Sequence, residues 1–298
     1  MKVAQFEDMN GPCVGIELDG KWIDYSKAES AYSLLERNTP VHPTATIAEL
    51  LAAGQFDPEK MRNVLAFVRG TNLRKRLVIS PEAELRAPVR RPPKIVALGL
   101  NYALHAKEGN YQVPKEPIIF VKSGSSVIGP GETVRIPRRM GRMDHEVELA
   151  VVIGKQATAV SRRNAWKYIA GYTVCNDVTA RDLQMSDIEK RHPWYRSKSF
   201  DTFTPMGPWI ITADAIPTPL RLTVTCRVNG RIRQRANTRD LVFDVPTIIE
   251  HVTRHITLEP GDIISTGTPE GIGPITHGDT VVCSVERIGE LKNPVRFR

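Results

Sequence analysis

The stretch from residue 144 to residue 154, Asp-His-Glu-Val-Glu-Leu-Ala-Val-Val-Ile-Gly, constrains this chain most, because it begins in acids and ends in unbroken apolar residues. Side chains alternate across a strand, so Glu146 and Glu148 share one face with Ala150 and Val152, while His145, Val147, Leu149, Val151 and Ile153 take the other. A third acid, Asp177, ends a second apolar run at residues 171–177. A Glu-x-Glu pair is commonest on a solvated face. Here both acidic positions adjoin strands with the composition of core, where an unpaired carboxylate is costly and a cation would offset the cost. Three carboxylates without cysteine or clustered histidine form an all-oxygen donor set, suited to magnesium, manganese or calcium and not to zinc.

The 298 residues can bury a full core as one large domain or as a domain with a smaller partner. No apolar run reaches the ~18 residues of a membrane span, and the opening Met-Lys-Val-Ala-Gln-Phe-Glu reads as a strand and not a signal peptide. A cytoplasmic protein with no membrane partner is the default expectation. Cys13, Cys175, Cys226 and Cys283 are far apart in sequence and read as reduced core residues. The formal charge of +8 gathers in arginines at 138–142 and 221–239. No nucleic-acid motif or aromatic platform accompanies them, so they read as a solvated basic face that would still attract small acids.

Residues 1–91 read as a small α/β unit. Its strands lie at 1–6, 13–18 and 21–24, the last two joined by an Asp19-Gly20 turn, and its helices at 46–53 and 58–68. The proline-rich segment 81–93 marks the boundary with a larger unit, residues 92–298. There, a buried strand at 94–100 leads into a short helix with Asn101 as its expected N-cap and His105 and Glu108 on one face. A carboxylate beside an imidazole orients the ring and suits general acid/base work, although His-x-x-Glu alone is a weak motif. Residues 179–189 have helical character, and the polar, aromatic stretch 190–196 reads as a surface loop or lid. Lys198, taken alone, reads as a solvated lysine. An Asn229-Gly230 hairpin and a helix begun by Asp244, with Pro246 in its first turn, follow. The Thr266–Gly273 loop has backbone amides to offer an anion but lacks a P-loop ending.

Together these pieces resemble the fumarylacetoacetate hydrolase family over about residues 94–298. The resemblance rests on Gly99-Leu-Asn-Tyr-Ala-Leu-His105-Ala-Lys-Glu108, Glu146-Val-Glu148-Leu, Asn176-Asp177-Val-Thr-Ala-Arg181-Asp-Leu-Gln184, Lys198-Ser-Phe-Asp-Thr-Phe-Thr-Pro-Met-Gly-Pro and Ser265-Thr-Gly-Thr268-Pro-Glu-Gly-Ile-Gly. It implies an α+β, β-rich fold, a mixed β-sandwich roll carrying the small N-terminal α/β domain. It also implies a divalent cation, Mg²⁺ or Mn²⁺ with Ca²⁺ as a crystal substitute, on Glu146, Glu148 and Asp177. His105 and Glu108 would be the water-activating pair, ordered as a lid closes over substrate. Lys198 would sit near a developing oxyanion, Arg181, Gln184 and Thr268 would line the substrate, and the chain would form a homodimer.

The implied chemistry is that of a 2-oxo acid, whose carboxylate and keto oxygens can chelate a cation that stabilises the neighbouring enolate. The presence of both His105 and Glu108 tilts the reading toward hydrolysis of a C–C bond in an acylpyruvate or fumarylpyruvate. Decarboxylation of an oxaloacetate-like acid and isomerisation of a dienoate from aromatic catabolism use the same enolate and are the close alternatives. A basic, non-enzymatic binding protein with a structural metal site is the reading from another class.

Overall fold

A computed structural model describes residues 1–41 and 43–298. The acidic strand, Val147–Ile153, lies deep in an eleven-stranded mixed sheet. Its neighbours are Ile169–Asn176 on one side, antiparallel, and Ile263–Ser265 on the other. Beyond Ile263–Ser265 come Ile95–Gly99, in parallel pairing, and the edge strand Ile118–Lys122. In the opposite direction the sheet continues through Thr204–Thr212 into Lys2–Asp8, Gly11–Leu18 and Lys21–Asp24. The N-terminal strands therefore extend the same sheet, joined through the Lys2 to Ile211 register.

Every residue of Val147–Ile153 is buried, so both faces of the acidic strand pack into core. Val147, Leu149, Val151 and Ile153 belong to the main core between this sheet and a five-stranded sheet ordered Arg231–Asn237, Thr223–Val228, Thr280–Val285, Gly289–Phe297 and Val134–Ile136. Ala150 and Val152 face the other way, into the core built with the N-terminal helices Tyr25–Arg37, Ile47–Ala52 and Pro58–Gly70. The alternation was legible, but its even face carries core as well as acid because a second layer of helices covers it.

Local rules account for most boundaries. Asp19 and Gly20 both take positive φ, as the two-residue hairpin turn requires. Thr46 and Glu49 form a capping box on Ile47–Ala52. Asp244 caps Val245–Thr253, with Pro246 in the first turn and Ile248, Ile249 and Val252 buried. The helix Tyr25–Arg37 escapes the sequence reading, since its buried side includes Ser26, Glu29 and Ser33 along with Tyr25 and Ala28 and so lacks an apolar stripe. The four cysteines are free and buried. Among the described residues no helix is long and apolar enough to cross a membrane.

Candidate active site

Glu146 lies between two strands that pair in different sheets. Met143–His145 pairs with Thr179–Ala180 and Gly273–Pro274 in a small three-stranded sheet, then the chain enters the large sheet at Val147. This junction brings the carboxylates of Glu146 and Glu148 together with that of Asp177, just past the end of Ile169–Asn176. One carboxylate oxygen from each lies within 4.8 Å of those of the other two, and all three residues are buried. Among the described residues this is the one such cluster of potential metal ligands. Oxygen donors alone, crowded and dehydrated, fit a hard divalent cation.

Each carboxylate is differently supported. Glu148 Oε2 accepts hydrogen bonds from Ser265 Oγ at 2.5 Å and Gly267 N at 2.8 Å. Gly267 has φ of +98°, and a Cβ there would stand 2.8 Å from that of Asn101, so glycine is what lets this amide reach the acid. Burial, followed by the charge of Asp177, pushes Glu148 up to about 8. For Glu146 burial also opposes ionisation, but Lys198 and then Arg181 outweigh it and hold the group well below the usual carboxylate range. Glu146 and Asp177 flank the Lys198 ammonium at 2.7 and 2.6 Å. Burial alone would lower Lys198, yet Asp177 and Glu146 overcome it and raise its pKa. Lys198 is only 3% exposed, which overturns its local reading as a solvated lysine.

Three cations stand against the triad and its buried neighbour Asp144. Besides Lys198, the buried Lys122 donates to Asp177 Oδ1 at 2.6 Å and to the Lys198 carbonyl. Arg181 donates to Glu146, to Asp144 Oδ2 at 2.8 Å and to Gln184 Oε1 at 2.5 Å. A divalent cation added to this set would leave the site with net positive charge, which suits an anionic ligand. Lys122 and Asp144 escape the sequence reading. The available signal was a lysine closing the apolar strand 118–122, and an acid two residues before Glu146 on the same side of the strand.

The helix Ala103–Glu108 carries the His/Glu pair, with His105 Nδ1 3.3 Å from Glu108 Oε2. Gly271 N donates to Glu108 Oε1 at 3.0 Å, so the 266–273 loop does lend amides to anions, namely the carboxylates of Glu148 and Glu108. The N-cap is Tyr102 and not Asn101. Asn101 is buried, donating to the Phe243 and Thr266 carbonyls and accepting from Phe243 N, and so ties the helix entry to two other segments. Thr268 Oγ1 donates to Val147 O and accepts from Gln234 Nε2, leaving it little capacity for a ligand although it lines the same space.

Most of the expected site residues border one cavity of about 840 Å³, while Asp177 is set behind Lys198 and does not line it. His105, Glu108, Glu146, Glu148, Arg181, Gln184, Lys198 and Thr268 contribute to its wall. Of the stretch 190–196 expected as a surface loop or lid, Arg191, His192 and Trp194 line the cavity, beside Gln184, Met185 and Ile188 of the preceding helix Arg181–Glu189. The arrangement can chelate a cation, present an ammonium to a ligand oxygen, and move a proton through an oriented imidazole.

Known proteins resemble this chain in sequence and in fold. Residues 94–296 match the model described as fumarylacetoacetate (FAA) hydrolase C-terminal. The mitochondrial oxaloacetate tautomerase FAHD2A of Bos taurus is 39% identical, the match covering 99% of this chain and 91% of that protein. The fumarylacetoacetate hydrolase of Exiguobacterium antarcticum superposes with a TM-score of 0.80 at 33% identity, covering all of both chains. A 5-carboxymethyl-2-hydroxymuconate delta-isomerase of Mycobacterium smegmatis gives 0.76 at 32%, again over both chains in full. A shared sheet, the buried acidic triad and a family match over some two thirds of the sequence lead to one conclusion: this chain belongs to the fumarylacetoacetate hydrolase family.

Proposed function

We propose that the protein is a divalent-metal-dependent enzyme that interconverts the enol and keto forms of a 2-oxo acid of the oxaloacetate type. The observation that carries this reading is the buried Glu146, Glu148 and Asp177 cluster with Lys198 against it and the His105–Glu108 pair on the same cavity. A cation on the triad would supply Lewis acidity toward the carboxylate and keto oxygens of the acid. Arg181 and Gln184 bind the acid's carboxylate, and Lys198 offers its ammonium to the oxygen on which charge develops. His105, oriented by Glu108, exchanges the proton at the adjacent carbon. Passing from enol to keto removes one proton from oxygen and adds one to carbon, with no carbon–carbon bond broken. The support for tautomerisation over cleavage is the bovine oxaloacetate tautomerase, which aligns with the N-terminal unit as well as the site.

Hydrolysis of an acylpyruvate is the second reading, and the His105–Glu108 pair favours it. A water deprotonated by His105 would attack the distal carbonyl, Lys198 would stabilise the alkoxide, and the pyruvate enolate would leave. Decarboxylation would reach the same enolate by loss of carbon dioxide without an attacking water.

The test is a panel of enol-oxaloacetate, acetylpyruvate and fumarylpyruvate with magnesium, run on wild type, His105→Ala and Glu146→Gln. Accelerated decay of the enol absorbance is expected in wild type, with loss in Glu146→Gln and a fall of roughly 10²–10⁴-fold in His105→Ala. An enol left untouched while an acylpyruvate is cleaved would put hydrolysis in its place, and pyruvate formed from oxaloacetate would put decarboxylation there. No turnover of any of them, with a nucleic-acid gel shift that survives chelation, would return the protein to the binding class.

A further inference from the structure

We infer that Trp194 is a specificity-determining residue that closes the site against apolar substituents on the 2-oxo acid; the inference rests on the reading of the head group above. The Lys198 ammonium stands 5.2 Å over the Phe120 ring, and Phe120 meets the Trp194 indole edge to face at 5.6 Å. A group attached to the carbon whose oxygen faces Lys198 therefore runs along Phe120 toward Trp194. Beyond the indole is a second, apolar groove of about 440 Å³, walled by Val96, Ile119, Val121, Pro193 and Ile256. Ile118, Phe120, His192 and Trp194 border both spaces, so these side chains are the partition between them.

The indole is held, not loosely draped. The ring packs on Gly99, where an added Cβ would lie 2.8 Å from Trp194 Cζ3. The Trp194 backbone carbonyl accepts from Ser197 Oγ at 2.9 Å. On either side of it the turn is pinned to the buried Asp187, through Arg196 Nη2 at 2.5 Å and His192 N to the Asp187 carbonyl at 2.7 Å. A partition fixed at both ends selects by size, because a tail that reaches it must displace the ring or turn aside into water.

N-alkyl oxamates test this directly, since their carboxylate and amide oxygens offer the chelating head of a 2-oxo acid while the alkyl chain grows from methyl to hexyl. Calorimetry with magnesium present gives, for each variant, the ratio of oxamate to oxalate affinity. In wild type the ratio is expected to level off by N-propyl. In Trp194→Ala it should keep rising by about fourfold per methylene, the gain that burying one methylene carries. Gly99→Ala, which must shift the indole without removing it, should move the levelling point by at least one methylene and covers the case in which Trp194→Ala does not fold. Identical chain-length profiles in all three proteins would overturn the assignment of Trp194 while leaving the head-group reading standing. If magnesium-loaded wild type fails to bind oxalate at all, the 2-oxo acid reading falls and this inference falls with it.

Discussion

Lys198 Nζ lies 2.6 Å from Asp177 Oδ2, so a buried ammonium stands against the carboxylates that would hold a divalent cation. The lysine thus bridges two buried acids from within the protein, and removing it leaves Glu146 with Arg181 alone and Asp177 with Lys122 alone. Lys198→Met is expected to lower the stability of the metal-free protein by about 3–5 kcal/mol, the usual cost of breaking a buried pair from one side. Magnesium should restore part of that loss, and turnover should fall roughly 10²–10³-fold if Lys198 is the proposed donor to the developing oxyanion. Denaturant unfolding with and without magnesium measures the first effect. A variant as stable as wild type in the absence of metal would contradict it.

Glu148 and its partner Ser265 separate the ligand from its support. Glu148→Gln keeps the volume and an oxygen acceptor for Ser265 Oγ and Gly267 N, so the fold should persist while magnesium affinity drops. Ser265→Ala removes one hydrogen bond to that carboxylate and should cost roughly 10–100-fold in affinity, with Glu148→Gln costing more. Isothermal calorimetry orders the two. Wild-type affinity in Glu148→Gln would remove this residue from the metal site.

How much of this was legible depends on whether the signal was local. The turn at Asp19-Gly20 and the cap at Asp244 were, because backbone conformation and capping are decided within a few residues. The face shared by Glu146 and Glu148 followed from strand periodicity, and their burial from the apolar run behind them. Lys198 shows the opposite case: nothing within its loop marks it as buried, since its partners lie 52 and 21 residues away. Lys122 and Asn101 fail for the same reason, as Asp177, Phe243 and Thr266 reach them only once the sheet has assembled. Family resemblance recovered Lys198 but no role for Lys122.

Asp244 provides a pH-dependent prediction away from the site. Its carboxylate accepts from Thr247 N and Oγ1 and from Arg162, and although burial opposes ionisation, these partners together lower its pKa. A group depressed in the folded state contributes stability above its unfolded value of about 3.9 and loses it as pH falls through the folded value. Asp244→Ala is therefore expected to cost about 1 kcal/mol at neutral pH, typical of an N-cap, with the difference from wild type shrinking below about pH 4. Thermal unfolding across the acid range checks it, and a difference independent of pH would assign the effect to something other than the carboxylate.

Gln234 reaches the site from the five-stranded sheet. Its Oε1 accepts from Val147 N at 3.1 Å and lies 2.9 Å from His145 Nδ1, while Nε2 donates at 2.8 Å to both Thr268 Oγ1 and Pro269 O. One buried amide thus spends its full capacity on the strand between the two glutamates and on the loop beyond Gly267. Gln234→Leu fits the volume but leaves several buried groups without partners, each worth about 1–3 kcal/mol, so a loss of more than about 3 kcal/mol is expected in denaturant unfolding. Gln234→Glu, ionised, keeps the acceptor side for Val147 N and loses the donors to Thr268 and Pro269. It should therefore loosen the loop more than the strand, and hydrogen exchange at 266–273 should rise relative to 147–153. Equal exchange in both segments would mean that Gln234 stabilises the sheet packing as a whole and does not position the loop.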